Sequence, residues 1–169
     1  IPYYLFYALT IILLPAISKT TAERDTKETE NLVNKALRLM VFLLFPMITL
    51  LTIYAPQVLH LFYGNQYAAA EQPLQIYALG VGFLTVFYVL SFALNGAGLV
   101  KVPMRLAFFG FIGMIALNFL LIPKWSLIGA ALSTTLVSVA VTIAILISVK
   151  HHFHVKISLK TILASLTSI

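Results

Sequence analysis

Charged residues fall in this chain only at intervals, and those intervals decide its fold class. Runs without Asp, Glu, Lys or Arg cover 1–18, 39–70, 72–100, 106–123, 125–149 and 161–169. A helix needs roughly 20 mostly apolar residues to cross the hydrocarbon core of a bilayer. The middle runs reach that length alone or with one flanking turn. Only 9% of the 169 residues are charged and 61% are hydrophobic, whereas an ordinary soluble domain carries about 25% charged residues. A chain of this size has too little interior to hide so much apolar surface from water. A soluble globular enzyme, a disordered tail and a nucleic-acid-binding module are excluded, and no nucleic acid partner is expected. The expected fold class is all-α: a polytopic transmembrane helix bundle.

Run 39–70 is too long for one crossing and breaks at Tyr54-Ala55-Pro56, because a proline disfavours the helical state of the residue before it. The expected spans are therefore about 3–18, 36–55, 74–97, 104–122 and 127–149, five in all. Residues 157–169 read as the start of a further transmembrane helix, and 1–156 as one transmembrane unit. The chain opens at Ile1 inside apolar sequence, so the expectation is a piece of a longer membrane protein. No cysteine is present, which removes disulfides, zinc–thiolate sites and thiol catalysis.

Ten of the eleven Lys and Arg residues lie on alternate connections: Lys19, Arg24, Lys27, Lys35 and Arg38, then Lys101 and Arg105, then Lys150, Lys156 and Lys160. Lys124 alone lies on the other side. The positive-inside rule places 19–35, 98–105 and 150–160 in the cytoplasm and 56–73 and 123–126 outside. Within the linker 19–35, Asp25-x-x-Glu28 resembles a capping box. Leu32, Val33, Ala36, Leu37 and Met40 share one helical face, with Asn31, Asn34, Lys35 and Arg38 opposite. The linker is expected to be an amphipathic cytoplasmic helix that runs into the second span; its charges either stay solvated or meet lipid headgroups.

No span centre holds an ionisable residue. A charge there costs about 2.5–3.5 kcal/mol and usually marks an ion or proton path. The acids Glu23, Asp25, Glu28, Glu30 and Glu71 form no pair suited to glycosidase-like work. His60 and the trio His151, His152 and His154 stand without an acid or cysteine to complete a metal site, so polar juxtamembrane roles account for them. Gly80-x-Gly82 and Gly96-x-Gly98 lack the third glycine and the preceding strand of a dinucleotide loop. Together with Ala93-x-x-x-Ala97 and Gly129-x-x-x-Ser133 they read as close helix packing. No catalytic, cofactor-binding or metal-ligating residue is expected, and the chain is read as no enzyme.

Three residues stand out as candidates for a substrate path: Tyr88, Asn95 and Asn118. Tyr88 precedes Asn95 by seven residues, which returns a helix almost to its starting angle. Their hydroxyl and amide groups could hydrogen-bond a sugar chain, or bond neighbouring helices and serve packing.

Several phrases in order carry a family resemblance. Leu13-Leu14-Pro15-Ala16-Ile17-Ser18 precedes the charged linker, and Phe45-Pro46 follows it. Then come Ala55-Pro56-Gln57-Val58-Leu59, Leu61-Phe62-Tyr63-Gly64-Asn65-Gln66-Tyr67 and Leu94-Asn95-Gly96-Ala97-Gly98 before Lys101-Val102-Pro103. Last are Asn118-Phe119-Leu120-Leu121-Ile122-Pro123-Lys124 and Gly129-Ala130-Ala131-Leu132-Ser133-Thr134. This order resembles the C-terminal half of a Wzx-type polysaccharide flippase. The superfamily of these proteins also holds the lipid II flippases and the multidrug and toxin extrusion antiporters.

The resemblance implies one partial lobe of a two-lobe transporter. It implies alternating access that moves a polyprenyl-diphosphate-linked oligosaccharide across the cytoplasmic membrane for surface polysaccharide biosynthesis. The implied partners are that lipid-linked glycan, the membrane lipids and an N-terminal lobe of the same protein. The alternative within the superfamily is a cation-coupled multidrug antiporter. A membrane-embedded polysaccharide polymerase or ligase is a third reading, and a weak one: His60, Glu71 and Lys124 are all the outer connections offer for catalysis.

Overall fold

The computed structural model describes residues 15–23 and 26–153, all of them helices and tight turns. The first is α1 (15–22), of which only the end of the expected 3–18 span is described; the capping residue Asp25 and the stretch 157–169 lie outside the described residues. There follow α2 (Thr26–Ile53), α3 (Ala55–Tyr63), a 3₁₀ turn (Asn65–Ala70), α4 (Glu71–Gly96) and α5 (Lys101–Phe153). Three helical segments, Lys27–Ile53, Gln66–Gly96 and Lys101–His152, are long and apolar enough to cross a membrane. The protein is an all-α membrane bundle.

Helix α5 has 53 residues, which would reach about 80 Å if straight against a hydrocarbon core of about 30 Å. It turns back at Ser126, whose φ of 48° and ψ of −120° leave the helical region. Pro123, three residues earlier, supplies no backbone N–H and loosens the helix there. The two arms, 101–125 and 127–153, then run antiparallel. Gly129 faces Leu121 so closely that a Cβ would collide with the Leu121 carbonyl. Gly110 lies opposite Val141.

The second arm of α5 packs parallel to α4. Thr142 Oγ1 donates to the Phe83 carbonyl at 2.7 Å, and Thr135 Oγ1, with one proton, is shared between the Ile76 carbonyl at 2.9 Å and the Ala131 carbonyl of its own helix at 2.8 Å. Both donors and both acceptors are seven residues apart, so one register of two turns serves both bonds. Between them, Gly80 brings the backbones together: a Cβ there would lie 2.6 Å from Thr135 Oγ1 and 2.9 Å from Thr135 Cα.

Helix α2 packs antiparallel to α4, with Ile48 filling the space above Gly82. Where α2 begins and α4 and α5 end, Val33, Leu37, Met40, Leu90, Leu94, Ile145 and Val149 form one buried core with Ile17 of α1. A hydroxyl bond from Thr29 to Thr20, 2.8 Å long, ties α1 to α2. The apolar face at Val33, Ala36, Leu37 and Met40 is buried in this core, while Asn31, Lys35 and Arg38 are exposed. This stretch is continuous with α2 and packs on protein.

The packing sorts the connections by end. The start of α2, the 97–100 turn and Lys150 share one end; α3, the 3₁₀ turn and Ser126 share the other. Lys35, Arg38, Lys101, Arg105 and Lys150 are all exposed at the first, basic end.

Two stability effects follow. Gly80→Val forces α4 and α5 apart at backbone level and should cost about 1–3 kcal/mol, the range of overpacked cores. Thr142→Val removes one interhelical hydroxyl bond, and such bonds average about 0.6 kcal/mol. Thermal unfolding of the purified full-length protein in detergent should show a clearly lower midpoint for Gly80→Val and nearly none for Thr142→Val. Separately, Ser126→Gly relieves a positive φ that costs a non-glycine residue about 1–3 kcal/mol. It should raise the midpoint in the same assay; a lowered midpoint would show that the Ser126 side chain is needed at the turn.

Candidate functional site

The bundle separates the three polar residues that the sequence singled out. Asn118 lies on the first arm of α5, level with the start of α4, and Asn95 lies at the end of α4. By the α4–α5 register they are roughly 30 Å apart along the bundle. They do not form one cluster.

Asn118 is engaged within α5. Its side-chain amide meets Ser133 Oγ across the hairpin, and Ser133 is fully buried. The same hydroxyl lies 3.0 Å from the carbonyls of Gly129 and Ala130. A hydroxyl has one proton and two lone pairs. The Ser133 hydroxyl gives its proton to Asn118 Oδ1, with the two helix carbonyls within reach as alternative acceptors. The asparagine thus braces the hairpin next to its turn.

Asn95 is placed differently. Its Oδ1 is buried and has no hydrogen-bond partner, although a buried amide oxygen left alone costs about 1–3 kcal/mol. The backbone carbonyl of Asn95 accepts from Gly98 N at 3.0 Å, and Gly98 with φ of 78° closes the turn. The side chain is therefore held at the basic end by a structured C-cap, with its Oδ1 closed off from solvent in this conformation.

Tyr88 is 41% exposed on α4, its ring edge-on to Phe87 at 6.1 Å. Eleven residues before it, Tyr77 is similarly exposed, and 3.6 residues per turn put Tyr77, Tyr88 and Asn95 within about 20° of one another around α4. Tyr77 extends the stripe that the sequence suggested from Tyr88 and Asn95. The signal for it was the same helical spacing, but Tyr77 lies close enough to the span end to pass as an interfacial ring. The faces of α4 on either side of the stripe are buried, at Ala78 and Thr85 on one flank and at Gly80 and Phe87 on the other. The stripe thus sets hydroxyl and amide groups along one line of α4, with Leu84 between Tyr77 and Tyr88. It can accept and donate hydrogen bonds but carries no charge.

Two further features are apolar. A groove of about 400 Å³ runs between α2 and α4, with Leu44, Phe45, Ile48, Leu79 and Phe83 in its walls. Another of about 460 Å³ lies between the arms of α5, where Gly110, Gly113, Ala140 and Ala144 leave room. Among the described residues no three His, Asp or Glu side chains converge as metal ligands. His152 Nδ1 contacts the Ser148 carbonyl at 2.9 Å, and His154 lies outside the described residues. At the end opposite the basic one, His60 Nε2 meets Glu71 Oε1 at 3.1 Å.

Comparison with known proteins places the chain among membrane proteins. The chain is 26% identical over 129 residues to a capsular polysaccharide biosynthesis protein, CapF, of Staphylococcus aureus, covering 76% of this chain and 33% of that protein. It is also similar to two uncharacterized membrane proteins of Methanocaldococcus jannaschii. One is 25% identical, over 78% of this chain and 26% of the relative; the other is 29% identical, over 79% and 31%. The chain spans about a quarter to a third of the length of these curated relatives. The sequence profile of one family, described as lipid II flippase MurJ, matches residues 2–169. That match covers every described helix, so the chain belongs to the MurJ lipid II flippase family.

Proposed function

We propose that this chain is part of a lobe of a transporter, with no enzymatic step of its own, that flips a polyprenyl-diphosphate-linked oligosaccharide across the cytoplasmic membrane by alternating access, for surface polysaccharide biosynthesis. The observation that carries this reading is the family match over 2–169, and the Staphylococcus aureus relative named for capsular polysaccharide biosynthesis favours a surface glycan. The ordered phrases that resemble a Wzx-type flippase point the same way.

The basic end of the bundle faces the cytoplasm in this reading, because Lys35, Arg38, Lys101, Arg105 and Lys150 gather there. The substrate's diphosphate is met by the N-terminal lobe, since α2, α4 and α5 place no cation at mid-membrane. The stripe of Tyr77, Tyr88 and Asn95 faces the cavity between the lobes. There the tyrosines offer O–H groups and ring faces to the glycan, and the Asn95 amide, whose Oδ1 is buried and unpartnered in this conformation, reaches sugar hydroxyls by turning outward. Asn118 supports the α5 hairpin and stays off the path.

Two measurements test this. Depletion of the full-length protein should leave lipid-linked saccharide on the cytoplasmic leaflet while its synthesis continues. The accumulating species shows whether the cargo is the lipid II type or another oligosaccharide. Loss of saccharide assembly in membrane extracts would instead indicate an enzyme. Tyr88→Leu and Asn95→Leu in the full-length protein should each reduce transport by about tenfold or more, the effect of losing a hydrogen bond worth roughly 1.5 kcal/mol, at unchanged membrane abundance. Reduced abundance, or normal transport, would assign the stripe to helix packing.

A further inference from the structure

The segment between α2 and α4 is too short to cross the membrane and is built to meet its surface. Helix α3 has nine residues, about 13 Å of helix, and the ends of two spans, Ile53 and Glu71, hold it at the level where the bundle stops. On one side it is tied down: Ala55 is buried, and His60 pairs with Glu71 at the start of α4. Its last turn points away from the bundle. Leu61 is 80% exposed and Phe62 73%, more than nearly every other large apolar side chain described.

The chain then makes a fixed turn. Gly64 has a φ of 74°, a conformation that favours glycine, and its N–H closes α3 on the His60 carbonyl at 3.1 Å. Across that turn the rings of Tyr63 and Tyr67 meet edge to face at 5.3 Å. Two aliphatic and aromatic side chains therefore project beside a pre-formed tyrosine pair. On the neighbouring connection at the same end, Trp125 and Leu127 are exposed as well. Tyrosine and tryptophan favour the headgroup level, where one part of the side chain is apolar and another wet.

We propose that Leu61–Tyr67 is an interfacial anchor whose partner is the lipid bilayer itself. Leu61 and Phe62 enter the outer edge of the hydrocarbon, and Tyr63 and Tyr67 sit among the headgroups of the leaflet opposite the basic end. The anchor fixes the depth of the α2–α4 hairpin by its apolar side chains, while the opposite end is fixed by charge. The assignment rests on the membrane bundle alone and is independent of which molecule is transported.

Spin labels test it directly in the full-length protein, made cysteine-free and reconstituted in phosphatidylcholine–phosphatidylglycerol vesicles. Labels are placed singly at Leu61→Cys, Phe62→Cys and, as the water-exposed reference at the basic end, Lys27→Cys. Collision with apolar oxygen relative to a water-soluble nickel chelate should be several-fold higher at 61 and 62 than at 27. A ratio at 61 and 62 equal to that at 27 would show a water-exposed loop and overturn the anchor. Low collision with both reagents at 61 and 62 would show that protein, such as the other lobe, covers the turn, and would equally overturn it. All three substitutions are at exposed positions, so the fold is retained in each sample.

Discussion

The close approach of α4 to the second arm of α5 sets the geometry of everything else described. In a bilayer, lipid tails are as apolar as leucine, so helices gain little from hydrophobic contact and associate through fit and hydrogen bonds. Gly80 supplies the fit by leaving room for Thr135. Thr142 supplies a hydroxyl bond to an α4 carbonyl, and Thr135, whose proton is shared with its own helix, reaches a second carbonyl in the same register. Because these two helices run parallel, the first arm of α5 must run back between their levels, and the chain must reverse at Ser126. The sorting of cationic residues to one end and of α3 to the other is a consequence of that parallel pair.

The same packing explains which polar groups are spent on structure. Thr85 and Ser91 bond carbonyls one turn back in α4, at 2.7 Å each, and Asn118 finds Ser133 across the hairpin. These groups are quiet. Asn95 Oδ1 remains without a partner beside a well-packed core, which is why the proposed path runs along the Tyr77–Tyr88–Asn95 face of α4. Large apolar side chains elsewhere, such as Phe109, Phe111 and Phe119, are exposed, as expected of surfaces that meet lipid or other transmembrane helices.

The all-helical membrane class was legible because charge spacing reports it without any knowledge of tertiary contacts. Pro56 marked the break after α2 for an equally local reason: α3 starts at Ala55 with the proline in its first turn. Gly129-x-x-x-Ser133 was legible as close packing, and both residues do face the opposite arm of the hairpin. The register of α4 on α5 was not, since Ile76 meets Thr135 across 59 positions and helical periodicity carries no information over that distance. For the same reason the partner of Asn118 was not legible: only the fold shows that Ser133 is within its reach. The amphipathic helix running into the second span was legible as well, and α2 is continuous from Thr26; that its apolar face would pack on α1, α4 and α5 was not, because those contacts are distant in sequence.

Reversal at Ser126 sorts the ends of the bundle, and sided labelling reads that sorting. Single cysteines are introduced at Ser126, Gln66, Glu23 and Val100 of the cysteine-free full-length protein in intact cells, with a membrane-impermeant maleimide applied outside. Labelling is expected at Ser126 and Gln66, with Glu23 and Val100 labelled only after the cells are opened. Labelling of Ser126 and Val100 from the same side would contradict it, because residues 101–125 would then not cross the membrane.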